Sequence, residues 1–538
     1  MQRPEVLVVG AGPTGLCVAL ELARRQVPCR VVDRAASPSV ESRALGLHAR
    51  TLEGLDRLGL ADTFVAAGQP VSQLRFGAGP QEPVAVDLGK LDTRFPFLLL
   101  LAQADTERLL TEALAGYGVP VERGTALVGL TATAEGARAR LVRGEQAEEV
   151  DVRWIVGADG AHSATRHALG IPFPGRAWPL TIVLADLDIG VDLGPGEVLI
   201  HATPRGLVAF VPFGPGRVRL IGVGVDHAAS PDLATEPTLA ELQALVEAVL
   251  PVPVHLRSPT WIARFRPHSR LAETFRNGAA FLAGDAAHVH SPAGGQGLNI
   301  GMADGWNLGW KLAAVVRGEA PAAILDTYEA ERRPVARWTI GFTDTLLRVA
   351  TVHRPGLLAG RARVARALAA TPVARQVLAR ALSGLATGYG PPSSHVREVW
   401  GSSAAGPGAR APDVELLAPE GHRVRLYTLF ATPGLQLLVV LRPRYHGWQA
   451  RELLTAVGAR FGGRVTPTIV WTEGAPTSIA GAPGFTDIGG RLRRAYGIDA
   501  PAALLLRPDG YVAARTDLTV GRVFDALRVW VEPLPEPV

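Results

Sequence analysis

An apolar run, Val6-Leu7-Val8-Val9, breaks at Gly10-Ala11-Gly12-Pro13-Thr14-Gly15 and resumes with helical spacing through Leu16, Leu20 and Leu22. That order predicts a buried strand, a tight turn and a helix. Cys29-Arg30-Val31-Val32-Asp33 predicts a second short strand ending in a carboxylate. Trp154-Ile155-Val156-Gly157 and Ala279-Ala280-Phe281-Leu282-Ala283 repeat the pattern of strand and polar turn, placing Asp159 and Asp285 just past strand ends. A glycine-rich stretch from Pro292 to Asn299 then leads into a helix predicted from about Leu298 to Val316, with Gly318 placed to stop it.

The rhythm shortens between about Pro172 and Arg266. Val198-Leu199-Ile200, Leu207 to Val211 and Arg217 to Ile221 are β-type runs separated by Gly and Pro turns, which predicts a sheet. Helical spacing returns past Arg333 through Trp338 and Leu347, continues in an Ala-, Arg- and Leu-rich segment to about Leu385, and gives way to a Gly-, Pro- and Ser-rich connection. From about Gly408 a further α/β unit is predicted. It has strands at Leu437–Leu441 and Pro467–Trp471, a helix around Ala450 to Phe461, and a hairpin from Ala503 to Ala513.

Length and composition narrow the class. At 538 residues, with 47% hydrophobic and 20% charged residues, the chain is globular and too long for one core. A net charge of +5 is small for this length, and no basic stripe is visible, so no nucleic-acid partner is expected. The only cysteines, Cys17 and Cys29, exclude a disulfide framework and a cysteine zinc site. No uninterrupted apolar run reaches membrane-spanning length and no basic leader precedes the first strand, so a soluble, cytoplasmic protein without a membrane partner is expected.

The chemistry begins with the first turn. Gly10 permits a tight turn, Gly12 lets backbone approach a pyrophosphate, and Gly15 allows close helix packing, while the helix start offers unpaired amides and a positive dipole end. Asp33 lies 18 residues beyond Gly15, near the spacing of a ribose-binding acid. This motif alone does not separate a nicotinamide cofactor from a flavin. Asp159 and Asp285 extend strand ends toward the same side, where each can accept from hydroxyls or cap the helix that follows it. The helix entered at Leu298 offers an anion site at its start. His288 and His290 are two residues apart and have no local third ligand, so no metal is expected.

Together these motifs make the chain resemble the para-hydroxybenzoate hydroxylase-like aromatic hydroxylases, the class A flavoprotein monooxygenases. The resemblance rests on Gly10–Gly15, Asp159-Gly160, Gly284-Asp285, Gly294-Gly295-Gln296-Gly297-Leu298-Asn299 and Tyr328-Glu329-Ala330-Glu331-Arg332-Arg333-Pro334. It implies an α/β protein: a Rossmann-type FAD-binding domain (1–171 and 267–400, the latter including a helical connection), an inserted β-sheet substrate domain (172–266), and a C-terminal domain (401–538). The last resembles thioredoxin but has no cysteine for thiol exchange, as in the polyketide-tailoring subgroup, so a structural or interfacial role is expected.

The resemblance also implies the cofactors and site. FAD would be held by Gly10, Gly12, Pro13, Thr14, Gly15, Asp33, Arg34, Arg43, Gln103, Asp159, Gly284, Asp285, Pro292, Gly295, Gly297, Leu298 and Asn299, with Arg43 and Pro292 nearest the chemistry. Asp159 would serve both FAD and the reductant. NADPH, or NADH, would visit transiently, because no second glycine fingerprint is present. O2 and a small aromatic substrate, probed at Trp178, Phe210, Pro212 and Phe213, would complete the reaction. Oxygenated flavin chemistry at C4a would then hydroxylate a phenol or, with one proton fewer, insert oxygen into a polycyclic ketone. The resemblance leaves room for a homodimer. A dehydrogenase explains Gly10 to Asp33 but leaves Asp159 and Asp285 without purpose, whereas a noncatalytic flavin scaffold is opposed by the intact motifs.

Overall fold

The computed structural model describes residues 4–38, 44–77, 84–189, 197–214, 217–224, 235–250, 252–351, 371–390, 404–443, 446–499 and 501–535. Within these residues, the strand Val6–Val9 pairs in parallel with Cys29–Asp33 on one side and Trp154–Gly157 on the other, and Ala280–Leu282 extends the sheet next to Trp154–Gly157. The short strands Val121–Arg123 and Arg276–Asn277 close the two edges. Alternation along these strands sends Val6, Val8, Val31, Val156 and Phe281 into a core built on the helices Pro13–Ala23, Gln103–Gly116 and Gly297–Val316. Leu7, Val9, Val32, Ile155 and Ala280 point the other way, onto a three-stranded antiparallel meander spanning Thr125 to Val152. A sheet buried on both faces explains why its strands read as unbroken apolar runs.

Pro13–Ala23 and Gly297–Val316 lie unusually close. Thr14, Cys17 and Glu21 occupy the space where side chains on Gly301, Gly305 and Gly309 would stand. Three glycines spaced by four fall on one helix face, so backbone meets backbone there.

The second sheet has seven strands in the order Arg257–Phe265, Ile182–Asp188, Arg217–Gly224, Gly206–Gly214, Glu197–Thr203, Gln73–Gly77 and Val84–Asp87. It therefore exceeds the 172–266 interval expected for it. From the first part of the chain, Gln73–Gly77 joins as a parallel neighbour of Glu197–His201, with Val84–Asp87 antiparallel beyond it. Conversely, Gly175–Ala177 leaves it to pair with His268–Leu271, beside His288–Val289. The helix Leu239–Val249, started by a capping box between Thr238 and Glu241, covers one face of the large sheet.

The C-terminal sheet is mixed. Leu435–Leu441 pairs in parallel with Val465–Trp471 and antiparallel with Ala502–Leu506, which turns back as Val512–Thr516. Helices Gly447–Phe461 and Val520–Arg528 pack on one face. The other face holds Tyr427, Phe430, Leu492 and Tyr496. This is the thioredoxin-like arrangement. No described helix is long and apolar enough to cross a membrane.

Candidate functional site

Neighbouring parallel strands in one sheet end on the same edge, so the sheet order brings together turns that are far apart in sequence. Gly284-Asp285, Asp159-Gly160, Gly10–Gly15 and Asp33 stand side by side there, in the order of their strands. Gly10 has φ +105°, and a Cβ on it would collide with the Ala158 carbonyl of the adjacent turn. Gly15 has no room either, because Gly10 O lies where its Cβ would be. Gly12 is different: nothing stands within 4 Å of its missing Cβ. Open space at that glycine, beside the start of a helix whose first turn has no acidic residue, suits a pyrophosphate. Pro13 at the helix start removes a backbone donor that could not be used inside the helix.

The Asp33 carboxylate accepts from the Ala11 amide at 2.7 Å and the Ala35 amide at 2.8 Å, with Arg123 at 3.5 Å. Each oxygen keeps a lone pair for a ribose hydroxyl. Arg34 is exposed beside it. Gln103 begins its helix, donates to Glu107 at 2.8 Å, and faces the Ala44 amide at 3.4 Å. Arg43 precedes Ala44 and lies outside the described residues.

Asp159 braces the start of the helix Ala164–Ala168, whose N-cap is Ser163. Oδ1 accepts from Ser163 Oγ at 2.5 Å, and Oδ2 accepts from the Thr165 amide and hydroxyl at 2.9 and 3.0 Å. Asp285 is exposed between buried Gly284 and Ala286. Behind that turn, sequence reasoning missed a group of charges that has 0% exposure at both Asp304 and Arg332. Asp304 Oδ2 accepts from the Gly284 amide at 3.0 Å and meets His288 Nε2 at 2.6 Å, while Oδ1 accepts from Arg332 Nε at 2.6 Å. Burial would raise the Asp304 carboxyl, but Arg332 and His288 outweigh it and hold it ionised, below its usual range. The available signal was a lone acid amid the apolar positions of the Gly297–Val316 helix.

Pro292, Gly294 and Gly295 are exposed, flanked by buried Ser291 and Gln296. The loop enters Gly297–Val316, whose first turn again has no acidic residue, so the amides of Gly297, Leu298 and Asn299 have no acceptor within the helix. The Asn299 side chain itself is fully engaged. Its oxygen accepts from the His48 amide at 2.8 Å and Thr51 Oγ at 2.6 Å, and its nitrogen donates to Gly46 O and Gly295 O, both at 2.9 Å. Of Asn299, the backbone amide at the helix start has no partner within the helix. Burial holds His48 and His290 at about 4, so two neutral imidazoles flank the loop.

This edge can hold a dinucleotide with a flat ring at the second helix start. The family described as an FAD binding domain matches residues 3–343. Along nearly the full length, the chain is 37% identical to 6-methylpretetramide 4-monooxygenase of Streptomyces rimosus, covering 95% of this chain and 90% of the relative. The chain belongs to the FAD-dependent aromatic hydroxylases. Pentachlorophenol 4-monooxygenase of Sphingobium chlorophenolicum is 34% identical, with 96% and 94% covered. The solved anhydrotetracycline hydroxylase of Streptomyces rimosus superposes with a TM-score of 0.79 at 32% identity, covering 99% of this chain and 100% of that one.

Within this hydroxylase, three of the four positions expected to meet substrate, Trp178, Phe210 and Pro212, are buried. Phe210 is 1% exposed and packs in the core under the Leu239–Val249 helix, on the side of the sheet away from the FAD-binding part. Pro212 is buried two residues further along the same strand, and the Phe213 side chain lies outside the described residues. Trp178 is buried beside the small sheet, donating to Ser269 Oγ at 3.1 Å, and Ser269 in turn donates to Asp344 at 2.6 Å. The face toward the FAD-binding part carries Val198, Ile200, Val211 and Ile221, grouped with Leu98, Leu100, Phe342 and Leu346. A strand sends successive residues to opposite faces, so Phe210 belongs to the face covered by Leu239–Val249 and Val211 to the face toward the FAD-binding part.

A basic cluster stands beside the Asp159-Gly160 turn. Burial lowers the pKa of His268, and the charges of Arg270, Arg266 and His162 near it lower it further. The side chains of Arg266 and Arg270 make no hydrogen bond or ion pair among the described residues, and the Arg266 Nε and His268 Nδ1 atoms are buried without partners. Converging unpaired cations make an anion-binding surface. No group of three or more metal-ligating side chains occurs among the described residues.

Proposed function

We propose that this hydroxylase uses FAD and NADPH, or NADH, to add one atom of O2 to a polycyclic aromatic substrate of the polyketide type by phenol hydroxylation. The observation that carries the reading is the row of turns at one sheet edge, Gly10–Gly15, Asp159-Gly160 and Gly284-Asp285, beside a second helix start free of acidic residues. The names of the relatives support the substrate class, since two of the three act on tetracycline-type polycycles.

In this reading Gly10 to Gly15, with Pro13 and Thr14, receive the pyrophosphate, and Asp33 takes the adenosine ribose with Arg34 at its flank. Gln103, Asp159 through its turn, Gly284 and Asp285 border the ribityl chain. Arg43, Pro292, Gly295, Gly297, Leu298 and the Asn299 backbone border the flavin ring. Bound FAD supplies two-electron reduction and oxygen activation. The chain's own part is positional and electrostatic: the amides at Gly297–Asn299 favour negative charge at the ring, and the apolar sheet face around Val211 and Ile221 excludes water. The basic cluster of Arg266, His268 and Arg270 meets the phosphates of the transient reductant. Water takes the second oxygen atom.

Turnover of a panel of aromatic polyketides under labelled oxygen gas tests the reading by mass spectrometry. A product carrying one labelled atom with its rings intact supports hydroxylation. A ring-opened or lactone product replaces it with ketone insertion. Reduction of the flavin without label in any product overturns both.

A further inference from the structure

We propose that the Arg507–Tyr511 turn of the C-terminal domain positions the flavin site, with Tyr389 and Arg332 as the positioning residues that carry its hold to Gly284. The turn joins the strands Ala502–Leu506 and Val512–Thr516, and it is buried although it carries two charges: Arg507 is 2% and Asp509 5% exposed. Arg507 pairs with Asp509 within the turn, at 3.0 and 2.6 Å, and its remaining partner lies in the FAD-binding part. Arg507 forks onto Glu331 at 2.6 and 2.9 Å, and the Asp509 carbonyl accepts from Arg50 at 2.7 Å.

Glu331 and Arg332 are consecutive on the helix Asp326–Thr351 and point in different directions, so together they form a two-sided clamp. Glu331 faces Arg507 and also accepts from Asn307 and Lys311 of the Gly297–Val316 helix, at 2.7 and 2.8 Å. Arg332 faces Asp304, which holds the Gly284 amide. The second line of contact is aromatic. Tyr511 stacks on Tyr389 with ring centroids 4.0 Å apart, and the Tyr389 hydroxyl lies 3.4 Å from Arg332 Nη1. From the C-terminal turn to the Gly284-Asp285 motif there are thus four successive contacts, and of the residues that make them only Tyr389 is partly exposed. A helix start or a Gly turn that must match a cofactor depends on such supporting contacts.

The test uses the full-length, FAD-loaded protein and two readouts that need no substrate or reductant: the FAD dissociation constant from flavin fluorescence, and the visible absorption band of bound flavin. Tyr511→Leu removes the stack and is expected to raise the dissociation constant about tenfold and displace the band. Tyr511→Phe keeps the ring and is expected to stay within about twofold of the parent. If Tyr511→Leu folds with its thermal unfolding unchanged and binds FAD like the parent with an identical band, the proposal is overturned. Should Tyr511→Leu not fold, Tyr389→Phe decides, because it keeps the stack and removes only the hydroxyl at Arg332. A weakened, band-shifted complex supports the proposal, and parental binding with a parental band refutes it.

Discussion

Gly15 has no space for a methyl group, because the Gly10 carbonyl already fills it. Gly15→Ala is therefore expected to push the first helix off the turn and abolish FAD retention, leaving a colourless protein on purification. Asn299 fails differently. Replacing it with Ala removes four hydrogen bonds at once and strands the buried His48 amide and Gly46 carbonyl, a loss of about 1–3 kcal/mol for each group left unpaired. Denaturant unfolding of the FAD-free protein measures that loss without any contribution from the cofactor. At the basic cluster, Arg270→Gln is expected to raise KM for the reduced nicotinamide cofactor while leaving the flavin spectrum unchanged. An unaltered KM, with unaltered salt dependence, would remove the cluster from the reductant's path. Asp33, Asp159 and Asp285 were legible in sequence because each follows an apolar run that can only be a strand. The partners of Asn299 were not. His48, Thr51 and Gly46 lie some 250 positions away in the chain, and no local spacing announces them.

A strand's alternation shows which residues share a face, but it does not say which partner each face meets. Along Gly206–Gly214 the pattern allowed Phe210 and Val211 to exchange roles, and the aromatic residue was the natural choice for a flat substrate. The helix Leu239–Val249 decides the matter, since its apolar stripe needs the Phe210 face. Phe210→Ala is thus expected to destabilise the protein by about 3–5 kcal/mol, measured by denaturant unfolding, while leaving product distribution unchanged. Enlarging Val211, on the opposite face, is expected to alter which substrates turn over with the bound-flavin spectrum intact. The first sheet was more legible than the second for a physical reason. Its strands are buried on both faces, so their composition identifies them without a decision about facing. The large sheet also recruits Gln73–Gly77 from a distant stretch, and pairing between distant segments leaves no periodic trace.

At the scale of the molecule, the missing thiols of the C-terminal domain find their counterpart in its docking. Arg507 and Asp509 meet Glu331 and Asn307, Arg410 pairs with Glu53, and Arg57 donates to the Pro508 carbonyl at 3.1 Å. Every one of these contacts crosses from one domain to the other in a buried setting, where an unpaired charge is costly. Burial alone would raise the Glu331 pKa, but Arg507 and Lys311 overcome it and lower it from 4.5 to about 2. A carboxylate depressed in the folded state binds fewer protons there than in the unfolded chain. Its contribution is complete above the ordinary carboxylate value and is lost as the pH falls from about 4.5 toward about 2. Acidification through that window should therefore release the C-terminal domain from the FAD-binding part, and the flavin with it if Tyr389 and Arg332 transmit its hold. Glu331→Gln should weaken the docking already at neutral pH, by about 3–5 kcal/mol, because Arg507 and Lys311 lose their shared counter-ion. It should also flatten the acid limb of the stability curve. Unfolding midpoints of the parent and Glu331→Gln proteins, measured from neutral pH downward, separate these outcomes: parallel curves with the same acid slope would show that this carboxylate does not bind the two parts together.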